Sequence, residues 1–227
     1  MSFSANGTNG AKNTTAGFSQ SGSYTLTATI RDAYGLTATS SVPVTVSQTL
    51  TSIAVSPASA AVRVGGTQQF TASAADQFGK PMSPTFAWTV SGGGTISGTG
   101  LFSAGNSAGG PFTVRASSGS VSGTASVTVT DFTVSATPPS RSVVAGSSAL
   151  YTVTVTPLAG FSSTVTLSVS GLPIGATASF SPSPTSSPAT LTVTTGQGHS
   201  GTYTLTITGN GGGLVHTTTV SLSISQH

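Results

Sequence analysis

Gly22-Ser-Tyr-Thr-Leu-Thr-Ala-Thr-Ile30 is a glycine, one residue, an aromatic, and then strict apolar/polar alternation. The pattern returns as Gly201-Thr-Tyr-Thr-Leu-Thr-Ile207 and, more weakly, as Gly110-Pro-Phe-Thr-Val-Arg-Ala116. Successive side chains of a strand point to opposite faces. Tyr24, Leu26, Ala28 and Ile30 therefore share one face, and Tyr203, Leu205 and Ile207 share another. Thr25, Thr27 and Thr29 face the other way, where a β-branched polar residue suits the wet side of a half-buried strand. A Gly-x-Tyr entry into a late strand has the form of a tyrosine corner, in which the phenol bonds back to the backbone at a sheet corner. Three copies, spaced by a domain length, predict three β-sandwiches or parts of three.

The composition narrows what such a chain can do. Only 4% of its 227 residues are charged, with no Glu and no Cys. The acids are Asp32, Asp76 and Asp131, and the net charge of +3 rests on six scattered cations. No basic patch interleaved with aromatics exists, which argues against nucleic acid as a partner. The absence of cysteine removes disulfides, thiolate metal ligands and cysteine nucleophiles together. No apolar run reaches the ~18 residues of a membrane span, and the N-terminus lacks the charged and apolar pattern of a signal peptide. Low charge with abundant Thr, Ser, Gly and Ala points to an extracellular or cell-surface protein, whose signal sequence would lie upstream.

Three modules are expected. In residues 1–48, Phe18 leads into the Gly22 turn and its strand. Asp32-Ala-Tyr-Gly35 then suits a type I turn, and a strand with Val42, Val44 and Val46 on one face follows. Pro43 inside that strand predicts an edge or a bulge. Residues 49–130 alternate through Ile53 and Val55, the Gly65-Gly66 turn, Phe70, a second Asp-x-x-Gly turn at Asp76–Gly79, and Trp88, read as a core residue of the central strand. Residues 131–227 repeat the scheme, with strands predicted at 151–155, 164–169 and 203–207 and a last one at 214–224. Three prolines make 181–188 irregular. The connections near 48–50 and 130–132 are very short, which predicts a semi-rigid tandem rather than a flexible string.

The words LTSIAVSPASAAVRVGGTQQFTASAADQFG (50–79), FAWTVSGGGTISGTGLFSAG (86–105) and GTASVTV (123–129) closely resemble the bacterial Ig-like group 2 family. GSYTLTATIRDAYGLTATSSVPVTV (22–46) resembles the C-terminal half of a PKD-like or cadherin-like repeat. YTVTVTPLAGFSSTVTLSVSGLPIGATASFSP (151–182) resembles the Ig-like repeats near the C-termini of secreted bacterial proteins. Together these imply an all-β chain of tandem immunoglobulin-like Greek-key sandwiches, the first truncated. The group 2 resemblance also implies a secreted or surface role, in adhesins or as accessory modules of large enzymes, and does not imply catalysis. Half a sandwich would expose its apolar face and an unpaired strand edge. Residues 1–48 are therefore expected to pair with another copy, to pack on the second module, or to stay partly disordered.

Candidate chemistry is sparse. Gly105-Asn-Ser-Ala-Gly109 has the spacing of a nucleophile elbow around Ser107, but that motif needs a strand-to-helix turn with a His and an acid in reach, and the flanks here read as strands. His199 and His216 are the other catalytic candidates. His216 shares parity with Leu214, Val220, Leu222 and Ile224, so it points inward or sits at the strand's mouth; a core-edge histidine bonded to backbone is the plainer reading. Zinc needs three or four ligands, and only Asp131 and His227 could supplement the two histidines. Calcium needs six to eight oxygens, which isolated aspartates do not supply. Asp32 and Asp76 are better read as turn residues that accept backbone N–H groups. No metal or other cofactor is expected. Paired carboxylates for glycoside hydrolysis are close to excluded by the lack of Glu and one Asp per module. For ligand binding the turn aromatics Tyr34, Phe78 and Phe161 are the candidates, with the capping of a sandwich end as the plainer role.

The leading expectation is a spacer or adhesion stalk, partnered by neighbouring domains of a larger protein. One alternative is a module that binds polysaccharide or a cell surface. Another is a weak hydrolase working at Ser107 or the histidines of the third module.

Overall fold

The computed structural model describes residues 1–8, 12–185 and 188–226. The described residues form strands and turns, with no α-helix. The first stretch holds β1 (Ser2–Phe3), β2 (Ala16–Gly17), β3 (Gly22–Arg31) and β4 (Thr37–Val46). Next come β5 (Leu50–Ser56), β6 (Ser59–Arg63), β7 (Thr67–Gln69), β8 (Thr71–Asp76), β9 (Pro81–Met82), β10 (Ala87–Val90), β11 (Gly94–Ile96), β12 (Leu101–Ala104) and β13 (Gly109–Ser118). β14 (Val121–Thr137) leads into β15 (Ser140–Val144), β16 (Ser148–Leu158), β17 (Thr166–Ser170) and β18 (Thr177–Ser181). The last are β19 (Ala189–Thr194), β20 (Gly201–Gly211) and β21 (Leu214–Ser225). Two compact units result: Met1–Val55 with Ala72–Ala87 and Ala116–Gly123, and Ser56–Thr71 with Trp88–Arg115 and everything from Thr124 on.

In the first unit, β3 and β4 pair antiparallel along their whole length, from Gly22↔Val46 to Arg31↔Thr37. The alternation works as read: Tyr24 lies opposite Val44 and Leu26 opposite Val42. Tyr24 also forms the expected corner, its Oη donating to Gln20 O at 2.8 Å while its ring tilts onto Phe18. Pro43 sits on an edge strand, since β4 pairs only with β3 among the described residues. The apolar face of this hairpin is largely open, with Ile30 73% and Val42 53% exposed. β5, β8 and β9 form a separate three-stranded sheet. Its buried side chains include Ile53, Val55 and Ala74.

The second unit carries two facing sheets in the Ig order. One runs β14–β16–β19–β18, and the other β15–β21–β20–β17, with β15 parallel to β21. Between them lie Phe132, Tyr151, Val153, Leu191, Leu205, Ile207 and Leu222 in one apolar cluster. Tyr151 is buried there with its Oη donating to Ser221 O at 2.9 Å, so the phenol ties one sheet to the other. Tyr203 repeats the corner on β20, donating to Ser200 O at 3.4 Å. β6 pairs parallel with β14, Val62 opposite Val129, and β7–β12–β11 makes a small sheet of its own. Trp88 is half-buried rather than sealed in the core; its indole lies over Gly100, where an added Cβ would come within 2.9 Å of the ring. After β18, residues 182–184 bend and Thr185 bridges Val165; Ser186 and Ser187, within the expected irregular stretch, lie outside the described residues.

The chain is therefore all-β and built of tandem Ig-like sandwiches.

Candidate functional site

Two sets of polar side-chain contacts lie where one run of the sequence gives way to the next, near 47–49 and near 130. At the first joint the Asp76–Gly79 turn holds residues 47–49. Asp76 Oδ1 accepts the N–H groups of Phe78 and Lys80 at 2.9 and 2.8 Å, and the Gly79 N–H closes on Asp76 O at 3.0 Å. This fixes Gln77 so that its amide pairs with the linker as a strand would. Nε2 donates to Ser47 O and Oε1 accepts the Thr49 N–H, each at 2.7 Å. Gln48 Nε2 donates to Asp76 Oδ2 at 3.2 Å. Asp76 is 2% exposed. Burial alone would raise its pKa; the Lys80 and Phe78 N–H groups, the Gln48 amide and the Lys80 charge outweigh that and hold it below the ordinary carboxylate range. Asp32 builds the same turn at the tip of the β3–β4 hairpin, accepting the N–H groups of Tyr34 and Leu36 at 2.9 and 2.8 Å. Both aspartates are thus the turn residues that the sequence predicts.

At the second joint β14 runs unbroken for 17 residues through position 130. Its burial alternation changes phase there: Ala125, Val127 and Val129 are buried, then Thr130, then Phe132. A shift of one residue moves inward-facing side chains to the other face of a strand. One strand therefore serves as the last of one sandwich and the first of the next. Val64 N–H donates to Thr130 O at 3.0 Å, and the Val64 side chain packs on the Phe132 cluster. Arg63 Nη1 donates to Gly213 O at 2.8 Å. Asp131 Oδ1 accepts its neighbour Phe132's N–H at 2.8 Å and His216 Nε2 at 2.6 Å. A carboxylate at this oxygen only accepts, so Nε2 carries the hydrogen whether the ring is neutral or charged. The Phe132 ring meets His216 edge-on at 4.8 Å and Phe161 at 5.0 Å. Beside these contacts lies an open groove of about 520 Å³, lined by Arg63, Thr67, Thr130, Phe161, Ser162 and Ser163, with Ala61, Val62 and glycines completing its walls.

The candidates from the sequence fall into separate places. Phe161 and His216 come together on Phe132. Phe161 is 8% exposed, so it caps the core and shows the groove little of its ring. Tyr34 is 93% exposed at the hairpin tip, and Phe78 is half-buried in the Asp76 turn. Ser107 lies in an exposed loop after β12, with a strand rather than a helix following it, and His199 lies in an exposed bend before β20. His227 is outside the described residues. Among the described residues, no three metal-ligating side chains gather. Asp131, which the sequence offers only as a possible companion of the histidines, pairs with His216. The two stand 85 positions apart, and only the packing of β21 beside the joint brings them together. The signal for the joint itself was readable in the spacing of Val129 and Phe132, three apart where a single uninterrupted face requires two or four.

Among solved structures, domains 4 and 5 of the S-layer protein SbsC are similar at 19% identity, covering 77% of this chain and 98% of that one, with a TM-score of 0.35. The three N-terminal domains of the bacteriophage RB49 outer capsid protein Hoc match at 14% identity, covering 95% and 84%, with a TM-score of 0.43. The titin fragment I67–I69 matches at 15% identity, covering 91% and 75%, with a TM-score of 0.42. No curated protein matches the sequence significantly. Residues 49–129, the stretch whose words carry the resemblance, match the family model of the bacterial Ig-like domain (group 2).

Proposed function

We propose that the chain is a structural spacer, a run of three modules (1–48, 49–130 and 131–227) in a larger bacterial secreted or cell-surface protein, where it serves as an adhesion stalk. The observation that carries this reading is the second joint. A continuous strand with side-chain pins on both flanks leaves no flexible residue at position 130. A spacer does its work by resisting bending, and side-chain bonds at Arg63 and Asp131 brace the chain where bending would occur. The clamped linker at 47–49 supports the same reading. A surface location fits the bacterial Ig-like match and the low charge. No described helix is long and apolar enough to cross a membrane, which leaves strand-based spanning untouched.

The chain has no cysteine, so two can be introduced for spin labels without background. Labels at Ser107→Cys and His199→Cys are expected to give a narrow distance distribution by double electron–electron resonance. The distribution should broaden when six Gly/Ser residues follow Thr130, or when Arg63→Ala and Asp131→Ala are combined. A distribution already as broad in the unaltered chain would end the spacer reading.

A further inference from the structure

We infer that the groove beside Arg63 binds an acidic saccharide, recognising the carboxylate of a uronic acid unit and the hydroxyls around it. The groove's volume of about 520 Å³ lies in the size range of small-ligand sites. Its one charged group is Arg63. That guanidinium is exposed but held at one corner, where Nη1 donates to Gly213 O, and no other bond engages it among the described residues. A planar fork fixed at one end and open at the other suits bidentate capture of a carboxylate. No carboxylate lines the groove to compete for it. The acid on the neighbouring strand β14, Asp131, is already committed to Phe132 N–H and His216.

The rest of the lining suits a sugar. The hydroxyls of Thr67, Ser162 and Ser163 are exposed and make no hydrogen bond among the described residues. The glycine walls leave room beside them: a Cβ at Gly160 would meet nothing within 4 Å. Gly212 must stay bare, because a Cβ there would come within 2.8 Å of the Phe161 ring that shapes the groove's floor. An acidic peptide brings apolar side chains along with its carboxylates, and this groove offers them little wall: its apolar side chains are the small Ala61 and the buried Val62 and Phe161. This inference is independent of the spacer reading: a stiff joint can stand with an empty groove.

The test is titration of the whole chain with trigalacturonate, followed by ¹⁵N NMR, with maltotriose and triglutamate in parallel. Trigalacturonate should move the Arg63 side-chain Nε–H and the Ser162 and Ser163 amides first, and maltotriose should bind about tenfold more weakly or worse. Arg63→Gln should lower trigalacturonate affinity about tenfold, Arg63→Lys should fall between, and Ser162→Ala with Ser163→Ala should cost several-fold. The dispersion of each variant's spectrum reports its fold, and the double serine variant carries the test if Arg63→Gln does not fold. Equal binding of maltotriose, unchanged affinity in the folded variants, or shifts confined to residues away from the groove would overturn the inference. Tighter binding of triglutamate would overturn it in favour of an acidic peptide.

Discussion

Asp76 shows how a single side chain can hold a joint. Its carboxylate is buried, yet its pKa lies below the ordinary range because two backbone N–H groups, an amide and the Lys80 charge favour the ionised form. A folded pKa below the unfolded one means that the unfolded chain binds the proton more readily. The stabilisation is then fully present above the unfolded value, about pH 4, and is lost as pH falls through the folded value. Urea unfolding of the chain and of Asp76→Asn should differ by a constant amount above about pH 5, and the two curves should converge as the solution is acidified below about pH 4. A difference that persists undiminished at low pH would mean that the aspartate acts by shape alone. The turn role of Asp76 and Asp32 is visible in the Asp-x-x-Gly spacing. What no spacing discloses is that Gln77, the next residue, reaches the backbone of Ser47 and Thr49, 30 and 28 positions away.

At the level of the strands, local pattern carried most of the information. Period-two alternation located β3, β16, β20 and β21, and the Gly-x-Tyr entries marked both tyrosine corners. Alternation failed in two instructive places. Trp88 alternates as a core residue does but is only half-buried, and the turn that packs on its indole is a tertiary neighbour that the strand's own sequence does not name. Gly100 holds that turn with φ +83, and an added Cβ there would meet Phe70 O at 2.4 Å as well as the indole. Gly100→Ala is therefore expected to cost roughly 1–3 kcal/mol, measured as a shift of the urea midpoint with unchanged slope, and to raise Trp88 fluorescence exposure to quenchers. The other place is β14, where the alternation does not stop but changes phase at Thr130. A reading that looks for where a pattern ends places a boundary there. The structure places a strand through it, because the backbone ladder continues while the buried face turns over.

For the molecule as a whole, the fold class and the family of the second module followed from the sequence. The joint contacts did not, since they depend on pairs such as Arg63–Gly213 and Asp131–His216 that are 150 and 85 positions apart. With so few charges in the chain, two of its three acids and one of its four arginines stand at the joints. A chain that used its modules independently would have no need to fix their connections in this way. The connection at position 130 is expected to be as firmly folded as the cores on either side of it. Amide hydrogen exchange measures this directly. The amides of residues 128–134 should exchange as slowly as those of Val153 and Leu205 in the core, and far more slowly than the Tyr34 hairpin tip. Exchange across 128–134 as fast as at that tip would contradict it.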